Sequence, residues 1–562
     1  MQYRILVLLG AIILGFSAKS NACVHPNDIY YWADMRDAKH FKFDEALKCD
    51  DLALETLETT LISLGRIGGE DAAKKVTPHL QHDNPQIRYA AAFALGIAQV
   101  PSVGEAIVKA LSTEKDPEVQ YRLALSLGNM AYAPSNEAAP KQGAQEVLTQ
   151  IINHDDSTQK VRGALHGFMI LATFYRDQIK SFDHEDAALD IQRILTLLKN
   201  QETQLETSYL LARTSLLDSD NLPEFLEALP DLAPTAKANL IRALAKTKQR
   251  QILPTLIQHL DSEHIGVRVN SIRSLANFPD NPVASATVMQ ALTYDDVISQ
   301  VTALQTIQAS WLKSPELLVS VKAKLQHENS WVQSEALLAL IRGDKGDAKQ
   351  AQQWLESQSP NHQRAAIAYF VNQKELSALE KLAKSDKTII ANGAKQALNP
   401  EPETAEEASE TDDALPELPV TVELETTKGM ITIELFADTP YTSANFIELI
   451  ENGFYNDTYF HRVIPNFVAQ GGSQNGDGTG NVDYSIREEL SYRSHLPGTV
   501  GMATLGKDTG GAQFFINTAP NIHLDSNYTI FGKVIDGMGV AIKLEQNDKV
   551  IKATTVKKQN GK

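Results

Sequence analysis

Two hydrophobic codes run along the chain, and one gives way to the other near residue 419. From about residue 51 to 398 apolar residues recur at helical spacing, Gly and Pro fall mainly between the apolar runs, and β-branched stretches are scarce. That pattern predicts one amphipathic helix after another. Matching segments keep a period: Ser63-Leu64-Gly65, Ala94-Leu95-Gly96 and Ser126-Leu127-Gly128 recur at intervals of 31 and 32 residues. Asp83-Asn84-Pro85 and Asp116-Pro117 open comparable second helices, and Leu244, Leu275, Ile307 and Leu340 repeat the beat at 31, 32 and 33. A helix pair with one apolar face cannot bury it alone, so the expected architecture is an α-solenoid of about eight to ten stacked repeats. Small residues (Ala91, Ala92, Ala124, Ser271, Ala303, Ala336) let helices approach closely, and an Asp or Pro at each turn starts the next helix. Between residues 130 and 235 the spacing stretches, and Pro134, Pro140, Pro223, Pro230 and Pro234 interrupt it.

After Pro419 the period becomes two. Val420, Val422 and Leu424 alternate with polar residues, the chain turns at Thr427-Lys428-Gly429, and alternation resumes through Leu435, which predicts a hairpin. A helix is expected over Pro440–Glu451, with Pro440 near its start, Phe446, Ile447, Leu449 and Ile450 buried, and Gly453 past its end. Short strands follow around 460–464, 467–471, 498–502, 513–517 and 530–534. Many short strands with glycine turns and few helices, in about 140 residues, predict a closed β-barrel.

Between the two codes, residues 399–418 carry eight acids, no base and three prolines. Mutual repulsion and blocked helix formation predict an extended, mobile linker that isolates 419–562 as its own folding unit. At the other end, Arg4 precedes the apolar run Ile5–Phe16, and Ser20-Asn21-Ala22 has the small-residue spacing of a cleavage site. Residues 1–22 therefore read as a secretory signal peptide, too short in its apolar part to span a bilayer, followed by a cap segment, 23–50. Export, with the periplasm as the expected compartment, gives the two cysteines two readings. Cys23 and Cys49 pair as a disulfide in an oxidising compartment, or Cys23, at the mature N-terminus, carries a lipid that anchors the protein to a membrane.

Composition narrows the function. At 562 residues the chain exceeds a single core, and 43% apolar with 22% charged residues fits a globular protein. A net charge of −18 argues against binding nucleic acid, which needs a basic surface. The array shows no catalytic constellation: its histidines (His79, His82, His154, His166, His259, His264, His327, His362) stand singly or in turns, and Arg88, Arg162 and Arg268 near helix starts read as turn ties. A long concave surface for an unidentified protein partner is the usual use of such an array.

Candidate chemistry concentrates in Tyr459-Phe460-His461-Arg462-Val463-Ile464-Pro465-Asn466-Phe467-Val468-Ala469-Gln470-Gly471-Gly472. One guanidinium stands beside aromatic and aliphatic groups, with no Ser–His or Cys–His couple and no carboxylate pair. The stretch is suited to hold something apolar and aim a fixed positive charge at it. Strand alternation turns His461 to the opposite face as a structural residue. Asn475-Gly476-Asp477-Gly478-Thr479-Gly480 superficially resembles a calcium loop but lacks the later acidic ligands, so it reads as a glycine turn.

The motif Phe460–Gly472 resembles the signature of the cyclophilin family of peptidyl-prolyl isomerases. Gly478-Thr479-Gly480, Gly501-Met502-Ala503, Gly511-Ala512-Gln513-Phe514-Phe515-Ile516 and Phe531-Gly532-Lys533-Val534 follow in that family's order and spacing. The array in turn resembles HEAT repeats of the short kind. The cyclophilin resemblance implies an eight-stranded antiparallel barrel capped by two helices. It implies a catalytic Arg462, and a prolyl pocket of Phe467, Val468, Phe515 and Leu524. Gln470 and Gln513 would orient the arginine and substrate backbone, and Ala503 and Thr504 would lie on the strand that pairs with the bound peptide. Two positions depart: His523 stands where many members carry a tryptophan, and Tyr528 where many carry a histidine, both at the pocket rim. The implied reaction is rotation about an X-Pro bond in proline-containing polypeptides, which calls for no metal or cofactor. The alternative reading is a scaffold whose barrel binds proline peptides after the two departures have removed catalysis.

Overall fold

The structure, a computed structural model, describes residues 24, 26–48, 54–130, 143–175, 188–399 and 418–556. The signal peptide, Cys23, Cys49 and nearly all of the acidic linker lie outside the described residues.

The array is two layers of antiparallel helices. Its inner layer comprises α1 (Leu54–Ile67), α2 (Pro85–Ala98), α3 (Pro117–Asn129), α4 (Thr158–Phe174), α5 (Gln204–Arg213), α6 (Pro234–Lys246), α7 (Ile265–Ser274), α8 (Val297–Thr306), α9 (Ser330–Arg342), α10 (Pro360–Gln373) and α11 (Thr388–Leu398). From α2 onward each is preceded by an outer helix that is no longer than it, which gives ten pairs among the described residues. The turns start helices as the pattern predicts. Asp116 accepts from the backbone N–H of Glu118 and Val119, and Asn84, one residue after the expected Asp83, accepts from Gln86. Arg88 ties its turn through the carbonyls of His82 and Asp83 and an ion pair with Glu114 at 2.7 Å.

Among the described residues the array continues on both sides of the stretch where prolines were expected to interrupt it, and Pro134 and Pro140 lie outside the described residues. Pro223, Pro230 and Pro234 occupy first-turn positions of helical segments, where a missing N–H costs nothing, so they punctuate repeats without breaking them. Close approach of the inner helices depends on the small residues. Ala91, Ala92, Ala124, Ser271, Ala303 and Ala336 are fully buried, and a Cβ on Gly128 of α3 would stand 2.2 Å from the Gly167 carbonyl of α4.

The C-terminal part is one antiparallel sheet of nine strands: β1 (Thr421–Thr426), β2 (Gly429–Leu435), β3 (Thr458–Tyr459), β4 (Arg462–Ile464), β5 (Val468–Gly471), β6 (Thr499–Met502), β7 (Phe514–Asn517), β8 (Ile530–Asp536) and β9 (Lys549–Val556). Their order is β3-β9-β1-β2-β8-β6-β7-β5-β4. The two edges, β3 and β4, are consecutive in the chain, so the sheet curls until its ends meet. The expected eight becomes nine because one strand breaks at Phe460-His461, where Phe460 donates to the Asp548 carbonyl and accepts from Asn547. Helix α12 (Pro440–Glu451) plugs the barrel with Phe446, whose ring lies 4.9–5.4 Å from those of Tyr455, Phe531 and Phe514. The second helix is the short α13 (Met538–Ile542).

The barrel does not stand apart from the array. Arg66 at the end of α1 donates to the carbonyls of Leu490 and Asp438, both at 3.0 Å. Phe93 of α2 packs edge-on to Tyr492 at 4.8 Å. Arg273 of α7 donates to Pro465 at 3.1 Å, and Arg364 of α10 to His461 at 2.8 Å. Asn392 of α11 bonds Thr479 at 2.9 Å. Helices from both ends of the array touch one domain of about 140 residues, so the array curves and its inner face holds the barrel. This differs from the separate tethered unit and open concave face that linker composition and repeat pattern predict.

Candidate active site

Strand register assembles the polar half of the site. Arg462 in β4 pairs directly with Gln470 in β5, and same-face neighbours across an antiparallel pair can touch. Arg462 Nη1 donates to Gln470 Oε1 at 3.2 Å, Gln470 Nε2 to Gln513 Oε1 at 3.0 Å, and Gln513 Nε2 to the Gly478 carbonyl at 2.6 Å. Anchored at one backbone oxygen, this relay sets the orientation of both amides and aims the guanidinium. The Asn475–Gly480 turn therefore serves as the relay's foot. Its Asp477 carboxylate accepts from the Thr479 N–H, and no group of three potential metal ligands occurs among the described residues. Arg462 itself is exposed, with Cζ 5.9 Å from the centre of the Phe467 ring. Partial burial lowers its pKa and Tyr528 opposes that, yet a guanidinium keeps its charge throughout the physiological range.

The apolar half is a floor of Val468, Phe515 and Leu524, 3–8% exposed, edged by the half-buried Phe467, Ala503 and Tyr528. Phe515 is wedged from three sides. His495 stacks behind it at 5.8 Å, Tyr528 meets it edge-on at 5.9 Å, and Gly501 on the neighbouring strand leaves room for the ring tip. A Cβ at Gly501 would stand 2.4 Å from Phe515 Cζ. The Ala503 N–H is bonded to the Gln513 carbonyl at 2.9 Å. Thr504 and Tyr528 line a cleft of about 230 Å³ between the barrel rim and the ends of α2 and α4, bordered by Phe174, Leu490 and Lys507.

The structure thus brings Arg462, Phe467, Val468, Gln470, Ala503, Gln513, Phe515, Leu524 and Tyr528 together. Thr504 stands at the cleft beside them. His523 is the correction: it is not an open rim but 4% exposed, stacked between Phe467 at 5.7 Å and Tyr209 of α5 at 6.1 Å. Burial, reinforced by Arg213, pushes its pKa down to about 2, so it is a neutral wall. His461 faces away from the pocket, buried against the array, and burial and Arg364 lower its pKa to about 4. The reading of the sequence missed the array's share of the site. Tyr209 donates to the Pro520 carbonyl. His166 Nε2 donates to the Ile522 carbonyl at 2.7 Å, while its Nδ1 accepts from the Tyr121 hydroxyl at 2.8 Å. His166 sits at a core position of its helix, and nothing local distinguishes it from a packed histidine.

A small antiparallel barrel with a relay-held arginine beside an apolar pocket defines a site suited to a small apolar ring. Residues 421–560 match the family described as cyclophilin type peptidyl-prolyl cis-trans isomerase/CLD, and residues 73–166 and 222–305 match HEAT repeats. The chain is 44% identical over 136 residues to a peptidyl-prolyl cis-trans isomerase of Synechococcus elongatus, covering 24% of this chain and 94% of that protein. A Helicobacter pylori peptidyl-prolyl cis-trans isomerase is 44% identical over 130 residues, 22% of this chain and 80% of that one. Peptidyl-prolyl cis-trans isomerase B of Bacillus subtilis is 46% identical over 121 residues, 21% and 85% respectively. The chain belongs to the cyclophilin-type peptidyl-prolyl cis-trans isomerases, with its isomerase domain joined to HEAT repeats.

Proposed function

We propose that the protein is an exported, periplasmic peptidyl-prolyl isomerase that assists folding of exported polypeptides, its HEAT array serving as scaffold for a client or partner protein. The relay-held Arg462 above the Val468–Phe515–Leu524 floor carries the reading. Rotation about an X-Pro bond faces ~18–20 kcal/mol because nitrogen shares its lone pair with the carbonyl. A donor aimed at the prolyl nitrogen draws that lone pair away and weakens the partial double bond. Arg462 can donate at every relevant pH. The apolar floor grips the ring and excludes water, which strengthens the interaction in the transition state. One charge-assisted bond, about 1.5–3 kcal/mol, gives only ~10–150-fold. Held geometry and desolvation supply the remainder. The leader-like residues 1–22 support export, and the cleft beside Thr504 supports a route for extended chain between array and barrel.

In full-length protein, Arg462→Ala is expected to slow catalysis of cis–trans exchange in a proline peptide by about 10–150-fold, with fold retained because Arg462 is exposed. Exchange spectroscopy reads the rates, and equal rates for the two proteins would refute the assignment.

A further inference from the structure

Three consecutive inner helices carry an arginine near their C-terminal end: Arg213 on α5, Arg242 on α6 and Arg273 on α7, spaced 29 and 31 residues apart. Arg242 and Arg273 each stand two residues before the repeat's Leu, and the same position holds Gln305 and Leu338 in the next two repeats. The guanidiniums therefore occur in the repeats that face the pocket and stop beyond it. Arg273 Nη1 donates to the Pro465 carbonyl at 3.1 Å, two residues before Phe467. Arg213 follows Tyr209 by one helical turn, and the Tyr209 ring stacks on His523. Arg242 lies between them, an electrostatic neighbour of both Arg213 and Arg273. The ladder thus lies on the Phe467–His523 side of the pocket.

These cations are half-buried and uncompensated. Their electrostatic neighbours are one another, the Tyr209 phenol and the neutral His523, and among the described residues no carboxylate is ion-paired with any of them. Arg213 Nε is buried with no hydrogen-bond partner. Burial and repulsion from Arg242 lower Arg213 and Arg273 to about 10. By contrast Arg162 of the inner face pairs with Glu206 at 2.7 Å, and Arg364, although its Nε is also buried without a partner, is held by both the His461 carbonyl and Asn547. Charge buried without a partner is costly, and a guanidinium fork suits a carboxylate.

We propose that Arg213, Arg242 and Arg273 form an anion subsite that holds an acidic side chain of the substrate polypeptide beside the proline. The subsite rests on the isomerase reading and adds to it a preference for acidic sequence around the proline.

The test uses the full chain and three otherwise identical proline peptides: one with Gln on both flanks of the proline, one with Glu before it and one with Glu after it. At low salt one Glu peptide is expected to exceed the Gln peptide in kcat/KM and in affinity by on the order of tenfold, and the excess should shrink with added salt. Arg242→Gln should bring the ratio to near one while the Gln peptide's rate stays within about twofold, and Arg242→Lys should restore most of it. If Arg242→Gln fails to fold, Arg213→Gln with the same readout takes its place. Equal treatment of all three peptides by the wild-type protein, or a ratio that survives loss of the charge, overturns the subsite. Absence of exchange with every peptide would refute the isomerase reading instead, and the binding ratio would still score the ladder.

Discussion

At the scale of single residues, a buried histidine and a buried glutamate report how tightly the barrel is enclosed. His461 is 6% exposed, and its pKa is lowered to about 4 by burial first, then by Arg364 and Arg462, against the opposing Asp477. An unfolded histidine titrates near ~6.5. Between those values the unfolded chain binds the extra proton, so His461 makes stability rise with pH up to about 6.5 and level off above. The loss from pH 7 to 5 attributable to it is about 2 kcal/mol. Glu488 works the other way. Burial and Asp508 raise its pKa to about 7, so its contribution falls as pH rises. The informative quantity is therefore the change in urea stability between pH 7 and pH 5 in wild type minus that in His461→Gln. A reduced acid loss in the variant is expected, and an identical loss would mean that His461 is not held neutral. The same scale shows what could be read in advance. Arg462, Phe467, Val468 and Gln470 lie within nine residues on one hairpin, so local spacing alone exposes an arginine over an apolar surface. Gln513, Phe515 and Leu524 come from distant segments and needed a family resemblance. Tyr209 and the arginine ladder lie on array helices, where periodicity explains an aromatic or a long side chain equally well as core or surface.

At the scale of elements, β6 carries the pocket's most exacting requirement. Gly501 faces Phe515 across the β6–β7 pair, and the ring tip occupies the volume a Cβ would fill. Gly501→Ala must displace Phe515 from the floor, because the alternative is to spread two strands of a closed barrel. Overpacking of this kind costs about 1–3 kcal/mol. The expected result is a cooperatively folded protein with kcat/KM lowered about tenfold, mainly through weaker grip on the proline ring. Unchanged kcat/KM would show that the floor tolerates the shift. The period-two code located β1 and β2 to within about two residues, and Pro440, the buried apolar residues and Gly453 located α12, since each element has one wet and one dry face. The break between β3 and β4 was not visible, because it depends on hydrogen bonds from Phe460 to a loop almost ninety residues away. The prolines at 223, 230 and 234 misled for a related reason. A proline forbids a helix interior and favours a helix start, and only the register of the stacked pairs decides between them.

At the scale of the molecule, the outcome that sequence could not supply is the seating of the barrel in the array. The acidic linker reads as a spacer by composition, and composition carries nothing about whether the two units it joins fit one another. The fit is made by scattered single residues, each ordinary in its own element: Arg66 on Leu490 and Asp438 at one end, Arg364 on His461 and Asn547 at the other. An array clamped at both ends leaves a cleft beside Thr504 and Tyr528, and on the proposed function the expected substrate is extended chain rather than folded protein. It also predicts a compact particle. A globular chain of this length has a radius of gyration of about 24 Å by the usual size scaling, and small-angle scattering of the full chain should fall within a few ångströms of that. A barrel roaming on a linker would give a distinctly larger and more anisotropic particle. Replacing both Arg66 and Arg364 by Ala removes carbonyl contacts at the two ends of the clamp without touching Arg462 or its relay. The double variant should then scatter as a larger particle and, with its site unwalled, accept bulkier proline substrates. A wild-type radius already in the extended range, unmoved by the double substitution, would mean that the barrel is not held by the array in solution.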